Sequence, residues 1–306
     1  MVILLLFLVL GSVGNSGQPQ AVTLQFWGTF DDDRFYSDAI ADFNKTNPGI
    51  RVIYRKFNFE DYEKQLIDSF AAGTGPDIWL MHNTRLPKHG DKIQPLPQEK
   101  LSGEDKPLLT LKEFQEQFVD VAVQDLMLGG QIYALPIYID TLALYYNKDL
   151  FNTAGITSPP KTWEEFNDAV KGLTSFDSRG NISRAAAAIG TAKNINRSTD
   201  ILALLMLQSG VKMTNNDHSS ATFAKSVSGA DVGETALQYY TDFANPSKQV
   251  YTWNDSQSYS IDAFVNGNAA MMLNYSHHIK TIIYKAARFN FAIAPVPQIA
   301  GASVAD

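Results

Sequence analysis

The 306-residue sequence contains no cysteine. Disulfides, thiolate nucleophiles, cysteine-ligated metals and cysteine-borne lipid anchors are therefore excluded. Positive charge is also short, with 25 Lys and Arg against 32 Asp and Glu and a net charge of −7. That balance argues against nucleic acid or an anionic membrane surface as the main partner. The longest uninterrupted apolar run is residues 2–10, VILLLFLVL, well short of the ~20 residues that span a bilayer. No Gly-x-Ser-x-Gly, Walker A or His-Glu-x-x-His motif occurs, which removes the usual hydrolase, nucleotide and zinc-protease signatures. Gly73-Thr74-Gly75 lacks the third glycine of a dinucleotide fingerprint and follows a helical stretch, so it reads as a turn. His277 and His278 are adjacent at a strand end and point to opposite faces, with no acidic cluster beside them. The sequence therefore predicts no metal site and no cofactor.

What is present is ordinary for a soluble globular protein, with 45% hydrophobic and 19% charged residues. The length predicts two domains, each able to bury its own core. Residues 2–10 and the small residues Gly11-Ser12-Val13-Gly14 have the form of a signal-peptide apolar region, without the usual basic start. Residues 15–20 then read as a linker.

The chain is organised around residues 131–150, QIYALPIYIDTLALYYNKDL. Pro136 divides it into two short apolar strands, because proline cannot donate to a sheet ladder. The second piece, 141–146, is apolar on both faces, as in a strand covered by helices on each side. Strand and helix alternate before and after it, so it marks the crossover from one α/β lobe to another. Earlier strands are predicted over 22–27, 50–55 and 77–81, with helices from about Asp31 to Phe43 and over 59–72, the latter begun by an Asn58/Asp61 capping pair. A single helix is predicted over 111–128. Later come a helix opened by a Thr162/Glu165 capping box, a strand over 185–190, helices over 199–208, 234–244 and 261–266, and strands over 269–274 and 289–294. Pro295 and Pro297 suggest a second crossover back to the first lobe. The expected domains are a leader and linker over 1–20, a first lobe over 21–138 rejoined by 295–306, and a second lobe over 139–294.

Five blocks carry a family resemblance: FNKTNPGIRVIY at 43–54, AAGTGPDIWLM at 71–81, YALPIYIDTLALYYNKDLFNTAGITSPPKTWEEF at 133–166, AFVNGNAAMML at 263–273 and FAIAPVPQIAG at 291–301. In this order and spacing the chain resembles the extracellular solute-binding proteins of ABC importers, in the group typified by maltose-binding protein. The resemblance implies an α/β, two-lobed periplasmic-binding-protein-like fold of type II, with lobes joined by crossover strands that close over a ligand. Family members usually run on past the last block, whereas this sequence stops at Asp306. The resemblance therefore implies that a C-terminal portion is missing.

Open α/β sheets bind ligands outside the carboxyl ends of their strands, and the candidate site residues lie at such ends. Trp27 ends the first strand and offers either a stacking platform for a sugar's apolar face or a buried aromatic. By position in the family, His82, Asn83 and Arg85 match a ligand-contacting loop, and Asp140 on the crossover matches a ligand carboxylate able to accept two hydroxyls. Asp140 could equally make a structural hydrogen bond. Asn194, Asn196 and Arg197 match a second-lobe binding loop, and Tyr275, Ser276 and His277 match a strand end that often carries a stacking aromatic. Trp163 directly follows a helix cap and reads as packing, whereas Trp253 sits in a polar loop and either touches ligand or is exposed.

The resemblance implies a non-enzymatic, monomeric carrier working outside the cytoplasm, in the periplasm or at the membrane-associated cell surface. It would capture a mono- or oligosaccharide between its lobes and deliver it to ABC permease subunits. A second reading keeps the fold but binds a charged solute, a glycerol phosphate or a polyamine. A third, from another class, is an enzyme using Asp140 and His277 as an acid–base pair.

Overall fold

The structure, a computed structural model, describes residues 21–100, 106–215, 219–226 and 229–302. The leader and linker expected at 1–20 lie outside the described residues. The chain divides into two compact units, Met1–Tyr138 and Ile139–Asp306.

The first unit is built on a three-stranded parallel sheet. Its central strand β1 (Val22–Gly28) pairs with β2 (Ile50–Lys56) from Val22–Ile50 to Gly28–Lys56, and with β3 (Ile78–Trp79) on its other side. Helices α1 (Asp33–Thr46) and α2 (Phe59–Ala71) connect these strands. Successive side chains of a strand point to opposite faces, and both faces of β1 are covered. Phe26 meets Tyr36 of α1 at 4.8 Å between ring centroids, while Trp27 packs with Phe57 and with Tyr62 and Leu66 of α2. Asn58 occupies the position before α2, but its side chain makes no capping bond.

After β3 come a short turn at Asn83–Arg85 and the helix α3 (Leu86–His89). The helix predicted over 111–128 is interrupted. It divides into α4 (Leu111–Gln117) and α5 (Asp120–Leu126), because Phe118 and Val119 are extended. Thr110 caps α4 with a full capping box to Glu113. Strands β4 (Met127–Leu128) and β5 (Gln131–Ile132) then form a hairpin. Its two turn residues, Gly129 and Gly130, have φ of 57° and 78°, a left-handed pair that glycine adopts without a Cβ clash. Gln131 and Ile132 therefore belong to a small hairpin and not to an independent strand.

The second unit holds a five-stranded mixed sheet in the order β10-β6-β9-β8-β7. Its elements are β6 (Leu142–Asn147), α6 (Lys148–Thr153), α7 (Trp163–Leu173), β7 (Ser175–Phe176), β8 (Ile182–Ala188), α8 (Ser198–Gln208), α9 (Val232–Asp242), α10 (Ser260–Val265), β9 (Ala269–Tyr275), α11 (His278–Lys285) and β10 (Phe291–Ala294). Asn147 caps α6 by accepting the amides of Asp149 and Leu150. Thr162 accepts the Glu165 amide, but the Glu165 carboxylate reaches past the cap to the Lys161 amide at 2.7 Å. Trp163 is buried, donating its indole N–H to Gln208 at 2.6 Å.

Residues 295–302 do not return to the first unit. Val296 is buried in the second core, the Gln298 backbone exchanges hydrogen bonds with Lys161 and Trp163, and the Pro297 carbonyl accepts from Gln208. Apolar Val296 is buried beside α7 and α8, so Pro295 and Pro297 follow β10 within the second unit.

Candidate functional site

The carboxyl ends of β1 and β2 meet in the first unit. A Cβ on Gly28 would stand 2.6 Å from the Tyr54 hydroxyl, so only glycine lets that side chain cross. Tyr54 donates to the Asp31 carbonyl at 2.8 Å, Tyr36 to the Asp31 carboxylate at 3.1 Å, and Lys56 pairs with Asp32 at 2.7 Å. These bonds fix the loop that follows β1. Upon it stands Phe30, 62% exposed, with its ring 5.0 Å from that of Phe59, itself 60% exposed. The pair was not singled out from the sequence, although Phe30 lies three residues past a predicted strand end and Phe59 begins the next helix.

Trp27 is a core residue. It is 8% exposed, its ring lies 4.4 Å from Phe57, and the Arg55 guanidinium sits 5.8 Å from its centroid. The platform reading of Trp27 fails because both faces of β1 are covered.

The polar candidates of this unit are largely engaged. Asn83 donates to Asp125 of α5 at 2.5 Å, and Arg85 lies 3.5 Å from Glu63 of α2. Glu63 also takes Lys88 at 2.7 Å and His89 at 3.0 Å. The hydrogen bonds from Lys88 and His89, with Arg85 beside them, hold its carboxyl down at about 2. His82 is exposed and bonds Thr84 through Nδ1 at 2.9 Å, capping the 83–85 turn.

In the second unit, antiparallel pairing sets Leu142 of β6 opposite Tyr275 of β9. Asp140, two residues before Leu142, thereby reaches the turn after β9. Its Oδ1 accepts the amides of Thr141 (3.0 Å) and Ser276 (2.9 Å), and its Oδ2 accepts the His277 amide (3.1 Å) and Nδ1 (2.9 Å). Burial pushes this carboxyl up, but the hydrogen bonds from Ser276 and His277 outweigh it and bring it to about 2. A carboxylate has about four lone-pair sites, so Asp140 is saturated within its own unit.

Asn194 is saturated too. Its Oδ1 accepts from Thr191 and from the indole of Trp253, and its Nδ2 donates to the carbonyls of Asn254 and Gln257 at 3.0 Å. Trp253 is fully buried, so this loop is a packed clamp and neither sequence alternative for Trp253 holds.

Asn196, Arg197 and the 274–278 segment differ. Arg197 lies over the Tyr275 ring at 4.8 Å and 3.8 Å from Asp200, while the His277 ring runs near-parallel to Tyr275. Burial, with Asp200 nearby, raises the Tyr275 hydroxyl. Among the described residues seven buried side-chain polar atoms lack a partner, and five are here: Asn196 Oδ1, Arg197 Nε, Asn274 Nδ2 and both ring nitrogens of His278. Burial, then His277 and Arg197, bring His278 down to about 4, so its ring is neutral near pH 7. Native interiors leave few such atoms unpaired, and their concentration at one strand-end edge marks it as the candidate site. Among the described residues no group of three or more His, Cys, Asp or Glu gathers in metal-binding geometry.

Residues 38–306 match the sequence profile of the bacterial extracellular solute-binding proteins. A galactooligosaccharide-binding protein of Bacillus subtilis is 32% identical over 152 residues, 48% of this chain and 32% of that protein. A maltodextrin-binding protein of the same organism is 27% identical over 257 residues, 84% of this chain and 56% of that protein. Among solved structures, an ABC substrate-binding protein of Listeria monocytogenes in complex with cycloalternan aligns with a TM-score of 0.68 at 18% identity, covering 91% of this chain and 67% of that one. The chain thus spans from about a third to about two thirds of the length of these relatives. The structural likeness establishes the two-lobed α/β fold class. No helix among the described residues is long and apolar enough to cross a membrane. With its profile matched over most of its length, the chain belongs to the bacterial extracellular solute-binding proteins.

Proposed function

We propose that this protein is the extracytoplasmic ligand-capturing component of an ABC importer, taking up a neutral carbohydrate and releasing it unchanged to the permease. The observation that carries the carbohydrate reading is the set of five unpartnered polar atoms around Tyr275. Arg197 Nε and Asn274 Nδ2 are donors, Asn196 Oδ1 is an acceptor, and neutral His278 supplies one of each. Hydroxyl groups donate and accept, so a sugar's rim matches the mixed donor and acceptor character of the set. The phosphate oxygens of a glycerol phosphate accept only, and its two hydroxyls supply fewer donors than a sugar's rim. A polyamine donates only and would meet the Arg197 cation. Delivery to a permease and action outside the cytoplasm rest on family membership.

Calorimetric titration with neutral mono- and oligosaccharides, sn-glycerol 3-phosphate and spermidine tests the reading. A neutral sugar should bind tightest and be recovered intact by mass spectrometry. Tighter binding of either charged solute overturns the carbohydrate assignment, and recovery of an altered sugar overturns the carrier assignment.

A further inference from the structure

The four hydrogen bonds on Asp140 have a chemical consequence for His277. An ionised carboxylate only accepts, so the 2.9 Å contact between Asp140 Oδ2 and His277 Nδ1 requires the proton on Nδ1. In the neutral ring Nε2 then carries the lone pair. The Nδ1 edge is turned to Asp140, the opposite edge faces away from it, and the His277 side chain is 54% exposed. Nε2 has no protein partner among the described residues.

We propose that Asp140 is a positioning residue that holds His277 with Nε2 presented as a hydrogen-bond acceptor for a ligand hydroxyl. The proposal rests on the carbohydrate reading for its ligand, but not for its geometry. The same carboxylate ties down the amides of Ser276 and His277, so ring orientation and proton position are set by one group. The titratable and charged groups around the ring are Asp140 from the entry to β6, Tyr275 on β9, His278 at the start of α11, and Arg197 with Asp200 near Tyr275. This arrangement gives Asp140 a different job from direct ligand contact, for which it has no lone pair left.

Two measurements on the full chain test it. Long-range proton–nitrogen NMR of the imidazoles at pH 8, assigned with His277→Gln, reads the tautomer without any ligand. His277 should show a protonated Nδ1 and a bare Nε2, and in Asp140→Ala the ring should shift toward the Nε2-protonated form that free histidine favours. A parent ring already protonated on Nε2 overturns the proposal, whatever sugar binds. Calorimetry then uses the tightest-binding neutral sugar of the panel above. Asp140→Ala and His277→Ala should each weaken binding by roughly tenfold, and the double variant by about the same factor, because one contact is removed in all three. Loss in Asp140→Ala with none in His277→Ala would return the ligand contact to the carboxylate. If the tautomer is as expected but no sugar binds, the carbohydrate reading fails while the positioning role stands.

Discussion

The two strand-end edges of this protein offer opposite kinds of surface. In the first unit the polar candidates Asn83 and Arg85 are tied to α5 and α2, and what stands exposed is an aromatic pair, Phe30 with Phe59. In the second unit the aromatic candidate, Tyr275, lies under Arg197, and what stands unpartnered is a set of donors and acceptors. The cores differ in the same sense. Among the described residues the second unit has one continuous buried cluster running through its five-stranded sheet, whereas the first has two small ones, around Trp27 and around Phe114. One edge supplies apolar area and the other directional hydrogen bonds.

The comparison depends most on Trp27 being core. Trp27→Ala should destabilise the protein by about 3–5 kcal/mol, the usual cost of truncating a buried aromatic, as read by chemical denaturation. Sugar affinity of the folded fraction should be unchanged. An unchanged denaturation midpoint with lost affinity would restore Trp27 as the platform, and the contrast between the edges would collapse.

Arg197→Ala sharpens the other side. Removing a charged donor from the second edge should weaken sugar binding by about 1.5–3 kcal/mol. Calorimetry should show no matching loss for Arg85→Ala, whose guanidinium is already paired with Glu63. Equal losses at the two arginines would mean that both edges bind through hydrogen bonds.

Acid separates the units as well. Asp140 and Glu63 both sit at about 2, below ordinary carboxyls. A depressed carboxyl contributes stability above its unfolded pKa and loses it as pH falls through the folded value, so the window is from roughly pH 4 down to pH 2. Asp140 is 18% exposed and its loss is on the order of 2 kcal/mol, at about 1.4 kcal/mol per unit. Glu63 is 35% exposed, and solvent screening reduces its share. Thermal melts across that window should therefore show a shallower acid dependence in Asp140→Asn than in Glu63→Gln. A shallower slope in Glu63→Gln would reverse the assignment.

Much of the fold was legible in the sequence, because its strands and helices carry their own punctuation. Thr162 read correctly as a helix cap, and β1, β2 and β9 stand within a residue of their expected limits. The site was less legible, for two physical reasons. Residues 22–26 alternate apolar and polar but Trp27 breaks the pattern, so nothing local distinguishes a buried Trp27 from an exposed one. The partners that decide the role of Asp140 lie more than 130 residues away and reach it only through the pairing of β6 with β9. The Gly129-Gly130 turn, by contrast, carried a readable hairpin signal that the division at Pro136 overrode.

The smallest expected effect bears most directly on what the first edge does. Phe30 and Phe59 lie 29 residues apart in sequence and meet because β1 and β2 run parallel and end together at Gly28 and Lys56. The bonds of Tyr36, Tyr54 and Lys56 hold the 31–32 loop that follows Phe30. Stacking of this kind is worth about 0.5–1.5 kcal/mol beyond area burial. Phe30→Ala and Phe59→Ala should each weaken sugar binding by about that much, and Phe30→Leu should recover only the part due to apolar area. Because both rings are exposed, neither alanine variant should lower the melting temperature beyond the small changes usual for surface positions. If both bind sugar like the parent, the aromatic pair is ordinary exposed surface, and the second unit's hydrogen-bonding edge accounts for the affinity by itself.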